Sequence, residues 1–119
     1  MAWEVEFTDE FAQWWANLSS DQQDDTAYSV SLLAELGPSL GFPHSSKVTG
    51  SRYAAMRELR TQSEGRPLRT LYIFDPLRTA ILLIGGDKTG NDRWYEQFVP
   101  IADRLYHSYL EELRKEGKL

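Results

Sequence analysis

Four bases recur through the middle of this 119-residue chain: Arg57, Arg60, Arg69 and Lys88. Each falls on, or just beyond, a segment with strand character. Neighbouring strands lie about 4.8 Å apart, so bases on one face can converge on a single phosphate. Arginine suits that task, because its planar fork binds phosphate through two hydrogen bonds and stays charged. The run Gly85-Gly86-Asp87-Lys88-Thr89-Gly90-Asn91 then presents Asp87 and Lys88 on a glycine-rich turn after an apolar strand. It is not a Walker A loop, which needs G-x-x-x-x-G-K-[ST] opening a helix. Next comes Arg93-Trp94-Tyr95, a base beside two aromatics. Those are the ingredients of a stacking platform for single-stranded RNA. A Tyr95 hydroxyl close to several cations would have a lowered pKa and would act as a general base. The structural alternatives are ion pairing with Glu58 for any one arginine, a solvated turn for Lys88, and helix anchoring for Trp94 and Tyr95. Phe11, Trp14 and Trp15 read as packing residues, His44 as an exposed loop residue before Lys47, and His107 has no assigned role.

The charge distribution supports a search for an anionic partner. The net charge is −5, which taken alone argues against one. Residues 1–46, however, contain eight acids and no Lys or Arg, a charge of −8. Residues 47–93 hold nine bases against five acids, a charge of +4. Such asymmetry points to a basic side that meets an anion and an acidic side that faces elsewhere.

Other classes are excluded by composition. With no Cys there is no disulfide frame, thiolate metal site or Cys nucleophile, and two His do not make a His-rich metal centre. No metal and no cofactor are expected. No apolar stretch approaches the roughly 18–20 residues of a membrane helix. The acidic start, Met1-Ala2-Trp3-Glu4-Val5-Glu6, carries no targeting signal, so a cytoplasmic location is expected. At 41% hydrophobic and 13% aromatic residues the chain is an ordinary folded one, and its length suits one domain over 1–119.

The elements that must position the bases follow from periodicity and punctuation. Trp3–Phe7 alternates apolar and polar, a half-buried strand. Thr8 caps a helix opening with Asp9-Glu10, and Ser20-Asp21-Gln22-Gln23 matches a capping box for a second. Gly37-Pro38 stops it, so 9–36 reads as a helical hairpin. Residues 37–51 read as loop, Tyr53–Arg60 as a strand, Thr61–Pro67 as a polar loop and Arg69–Asp75 as a strand. On the first of these, Met56, Glu58 and Arg60 share one side and Arg57 and Leu59 the other. Asp75-Pro76-Leu77-Arg78 is a turn. Thr79–Ile84 is apolar throughout, as for a central strand covered on both faces, with Gly85-Gly86 ending it. Pro100 suits the first position of a last helix. Short connections make the three later strands an antiparallel meander. The class is α+β: a small antiparallel sheet, formed by the N-terminal strand and the meander, with helices mainly on one face.

Met56-Arg57-Glu58-Leu59-Arg60, then Arg69-Thr70-Leu71-Tyr72, then the apolar strand ending Gly85-Gly86-Asp87-Lys88-Thr89, then Ala102-Asp103, resemble HigB-type toxins of bacterial toxin–antitoxin modules. These belong to the RelE/ParE superfamily, and the element order agrees along nearly the whole chain. The resemblance implies an endoribonuclease that cuts mRNA in the ribosomal A site and is silenced by a helix-turn-helix antitoxin of the HigA kind. The implied reaction is attack of a ribose 2′-OH on the adjacent phosphate, without metal or cofactor. It would place Arg57, Arg60 and Arg69 on phosphate, with Arg69 also stabilising the transition state. Lys88, Asp87 and Tyr95 would move protons, Trp94 would stack a base, and Arg93 and Lys47 would extend the RNA surface. The alternative in the same superfamily is a ParE-like, non-enzymatic inhibitor of DNA gyrase, which generally lacks a clustered catalytic set.

Overall fold

The computed structural model describes residues 2–119. Its elements are β1 (Val5–Phe7), α1 (Asp9–Ala16), α2 (Ser20–Leu36), a 3-10 turn at Gly37–Ser39, β2 (Ser45–Lys47), β3 (Arg57–Ser63), β4 (Arg66–Phe74), β5 (Ala80–Asp87) and α3 (Trp94–Lys115). The strands make one α+β sheet in the order β1-β5-β4-β3-β2. The β3-β4-β5 meander is antiparallel, as expected. β1 instead runs parallel to β5, with Val5 opposite Ala80, so the sheet is mixed. The chain between β1 and β5 contains the hairpin and the rest of the sheet, long enough for the crossover a parallel pair requires. β2 is an addition inside the expected loop, pairing Ser45 with Leu59; its sequence, Ser-Ser-Lys, carries no apolar alternation to reveal it.

Local chemistry sets the helix starts. The Thr8 hydroxyl accepts the Phe11 N–H at 3.0 Å and donates to the Leu83 carbonyl at 2.6 Å, tying α1 to β5. The capping box of α2 is built on Ser19 and Gln22, one residue earlier than Ser20 and Gln23. Glu64 and Gly65, at φ 53° and 73°, form a two-residue hairpin turn. β3 and β4 therefore continue through most of Thr61–Pro67, which the sequence shows only as polar.

Helices cover both faces of the sheet, correcting the one-face expectation. Leu71, Ile73, Ile81 and Leu83 pack against Trp94, Ala102 and Tyr106 of α3. Tyr72, Ala80 and Leu82 pack on the opposite side against Phe11 of α1 and Leu33 of α2. This alternation explains why β4 and β5 are apolar at nearly every position. Trp14 and Trp15 join the hairpin-side core as packing residues.

The end of β5 determines the start of α3. Between β4 and β5 the register shifts, with Leu71 opposite Ile84 but Tyr72 opposite Leu82. Gly85 and Gly86 then lie inside the strand and do not end it. A Cβ on Gly85 would sit 2.2 Å from the Trp14 ring, and one on Gly86 would sit 2.6 Å from Trp94 Nε1. The two glycines are slots, one on each face, for two tryptophans. With Trp94 seated and stacked on Phe98 at 4.7 Å between ring centroids, α3 starts six residues before Pro100. Pro100 lies inside the helix, where packing outweighs the hydrogen bond it cannot donate.

Candidate nucleic-acid and phosphate site

At the N-terminal end of α3 the polar residues of the sheet gather around Tyr95. The organiser is Glu58 on β3, which is 4% exposed. Its Oε1 accepts the Tyr95 hydroxyl at 2.5 Å and lies 3.3 Å from Arg69 Nε. Its Oε2 accepts the Ser46 hydroxyl at 2.6 Å and lies 3.5 Å from Arg60 Nη1. The Lys88 ammonium sits over the Tyr95 ring, 5.0 Å from its centroid. Backbone pairing sets this order: Arg60 is opposite Arg69, and Arg69 is opposite Gly86, two residues before Lys88.

Arg69 is 6% exposed and under-used as a donor. Its Nη1 donates to the carbonyl of the preceding residue, Leu68, at 3.0 Å. Its Nε is close to Glu58 but off the line of a hydrogen bond, and is left without an aligned acceptor. A buried guanidinium holds five donors, so this one keeps capacity for an incoming anion.

Arg60, Arg69, Lys88 and Tyr95 thus come together; the other expected site residues do not. Arg57 points to the hairpin side, donating to Ser45 Oγ at 3.0 Å, and Ser45 Oγ is 2.6 Å from the Tyr72 hydroxyl. Lys47 is directly opposite Arg57 and exposed. Alternation along a strand separates these two from the Glu58 cluster. Arg93 is paired with Glu96 at 3.0 Å in solvent. Trp94 is 1% exposed, so it anchors α3 and offers no face to a base. Asp87 accepts the Thr89 hydroxyl and amide at 2.5 and 2.9 Å and Arg66 Nη1 at 3.0 Å. Burial alone would raise its pKa, but the Thr89 and Arg66 contacts outweigh that and lower it. Asp87 is held as a carboxylate that fixes the turn, an unsuitable state for delivering a proton.

Tyr95 is perturbed in the direction opposite to expectation. Burial raises its pKa above 10.0, the Glu58 hydrogen bond and charge raise it further, and Arg69 opposes them without prevailing. Burial and Asp75 likewise raise Tyr106 and Tyr109, and the Tyr109 hydroxyl donates to Asp75 at 2.6 Å. For such groups the stabilisation is complete below the ordinary tyrosine range and is lost as pH climbs through the folded values. In an absorbance titration of the folded chain we expect Tyr95, Tyr106 and Tyr109 to ionise above pH 10. Tyr95→Phe should remove one late step; loss of a step below pH 10 would contradict the assignment.

Residues 13–107 match the family Phage derived protein Gp49-like. A Mycobacterium tuberculosis protein bearing the toxin name HigB3 is 42% identical over 99 residues, covering 82% of this chain and 85% of its own. This chain belongs to the HigB-type toxin family. A second M. tuberculosis protein, bearing the toxin name HigB2, is 37% identical over 101 residues, 83% of this chain, which spans 50% of that longer protein. The fold is that of RelE. The free Escherichia coli RelE toxin, in a double-arginine mutant, superposes with TM-score 0.59 at 15% identity, covering 81% of this chain and 94% of that one. The RelE–RelB complex of Pyrococcus horikoshii gives 0.56 at 13% identity over 76% of this chain and 99% of that one.

Sequence reasoning missed Glu58 as organiser and Ser46 as its partner. Glu58 reads as a neutralising neighbour because it sits between Arg57 and Arg60. The available signal is its side of the strand, shared with Met56 and Arg60. Among the described residues no cluster of acids and His is arranged to hold a metal, and no helix is long and apolar enough to cross a membrane.

Proposed function

We propose that this HigB-type chain is the toxin of a type II toxin–antitoxin pair and cuts mRNA in the ribosomal A site, acting in the cytoplasm. A helix-turn-helix protein of the HigA kind is the antitoxin in this reading. The observation that carries it is the convergence of Arg69, Arg60, Lys88 and the Tyr95–Glu58 pair at one end of the sheet. The ribose 2′-oxygen attacks the adjacent phosphorus as its proton passes to the Tyr95 oxygen and the Tyr95 proton passes to Glu58 Oε1. The pentacoordinate phosphorus carries extra negative charge, which Arg69 and Arg60 stabilise. Lys88 gives a proton to the departing 5′-oxygen, leaving a 2′,3′-cyclic phosphate and a free 5′-hydroxyl.

Mapping mRNA 5′ ends on ribosomes after inducing the chain tests this reading. Cuts should keep phase with codons. Tyr95→Phe and Lys88→Ala should each slow cutting about 10²–10⁴-fold, the usual worth of a proton-transfer group. Lys88 is partly exposed, so thermal unfolding of its variant should stay near that of the parent chain, while Tyr95→Phe takes a donor from the buried Glu58 and should cost about 1 kcal/mol. Growth arrest with DNA breaks and intact mRNA would instead identify a gyrase inhibitor.

A further inference from the structure

The cluster has an unassigned neighbour. β2 pairs with the first three residues of β3, Arg57 to Leu59, the His44 carbonyl accepts the Arg60 N–H at 2.8 Å, and from Thr61 onward no strand among the described residues lies along that edge. A cavity of about 360 Å³ lies there, its wall including Asp25 and Tyr28 of α2, Pro43 and His44 of the loop before β2, and Arg60 and Arg69, with Asp25 engaged by the Ser63 hydroxyl. Both arginines also approach Glu58, so the cavity is continuous with the reactive cluster. Arg69, buried and with donors to spare, lies in its wall.

Two large aromatic side chains stand beside this cavity with no packing role. Phe42, next to Pro43 at the rim, is 75% exposed, and Tyr28 is 62% exposed. Neither belongs to the packing on either face of the sheet. The Arg60 guanidinium lies 5.1 Å above the Phe42 ring centroid, which orients ring and cation together. Exposed aromatics interleaved with arginine are the chemistry of single-stranded nucleic acid, where a ring takes any base and the cations take the backbone. From Lys88 beyond β5 to His44 at the foot of β2 is three strand spacings, about 14 Å, more than one nucleotide unit requires.

We propose that this cavity is a nucleotide subsite: the base of a nucleotide flanking the cut stacks on Phe42 and Tyr28, beside the scissile phosphate that Arg60 and Arg69 hold. The inference rests on the endoribonuclease reading for the scissile position but concerns a neighbouring nucleotide. Strand polarity follows the sheet, running from Lys88 across Arg69 and Arg60 to Phe42.

A short single-stranded RNA with 2′-O-methyl groups, which cannot attack, is the binding probe. Phe42→Ala and Tyr28→Ala should each weaken its affinity about 5- to 100-fold, the worth of one base–aromatic stack. The slope of affinity against salt should not change, because no phosphate contact is lost. Thermal unfolding of both variants should match the parent, and Phe42→Trp should restore binding. Unchanged affinity in both alanine variants overturns the subsite and leaves the two rings to a protein partner. If the probe binds through these rings but ribosomal mRNA is never cut, the subsite stands and the nuclease reading falls. If the probe does not bind the parent chain at all, the subsite is overturned, while ribosomal cutting is read independently.

Discussion

Replacing Arg69 by methionine is expected to destabilise the fold by about 3 kcal/mol as well as abolish cutting. The side chains of Arg69 and Glu58 are 7% and 6% exposed, so the substitution strands a carboxylate away from water. Removing one member of a buried pair costs about 3–5 kcal/mol because the remaining charge is uncompensated. The lower end applies here, since Glu58 keeps Ser46, Tyr95 and the more distant Arg60. The double variant Glu58→Gln with Arg69→Met should recover most of that loss, because a neutral amide needs no counter-charge. Urea unfolding of parent, both single variants and the double variant measures the coupling. If the double variant is as unstable as the sum of the singles, the pair is not energetically linked. Cutting should remain absent in the double variant, separating the fold's need for neutrality from the reaction's need for a guanidinium.

Gly86→Ala is the second large effect, expected to cost about 2–3 kcal/mol. The added methyl would meet Trp94 Nε1 at 2.6 Å and Cζ2 at 3.0 Å. Trp94 is 1% exposed and stacked on Phe98, so it has no room to retreat. Gly85→Ala meets the Trp14 ring even more closely, at 2.2 Å, yet should cost less. Trp14 is only partly buried and can swing outward. Combining Gly86→Ala with Trp94→Phe should restore part of the loss. The indole N–H has no hydrogen-bond partner, so phenylalanine forfeits only ring area. Equal melting temperatures for the two alanine variants would contradict this ranking. Gly86→Ala should also reduce cutting, since Trp94 fixes the first turn of α3 and with it Tyr95.

The fold was largely legible from local signals, and the site less so. Thr8, Gly37-Pro38 and the apolar run Thr79–Ile84 carry their structural meaning in their own types and spacing. The parallel direction of β1 and the existence of β2 depend on partners far along the chain and have no local trace. Gly85-Gly86 reads as a strand end because glycine usually is one; only the opposing tryptophans reveal the slots. At the site, strand alternation was the decisive information. It places Arg60 and Glu58 together and sends Arg57 to the other face. Tyr95 lies beside the expected bases, but its hydroxyl is bonded to the Glu58 carboxylate and not to a cation, so its pKa rises where a fall is expected. That contact joins residues 37 apart in sequence, a relation no window of neighbouring residues contains.

The parallel pairing of β1 with β5 has a consequence for when the molecule becomes dangerous. Val5 is made well before Ala80, and it waits for that residue before it has a strand to join. Contacts of such sequence separation form late, because loop closure must precede them. Tyr95 is made later still, and α3 docks only once Gly86 has given Trp94 its seat. A nascent chain therefore holds Arg60 and Arg69 well before it holds Tyr95 in place. Under the nuclease reading, the chain cannot cut RNA until Tyr95 has been made and its hydroxyl has met Glu58.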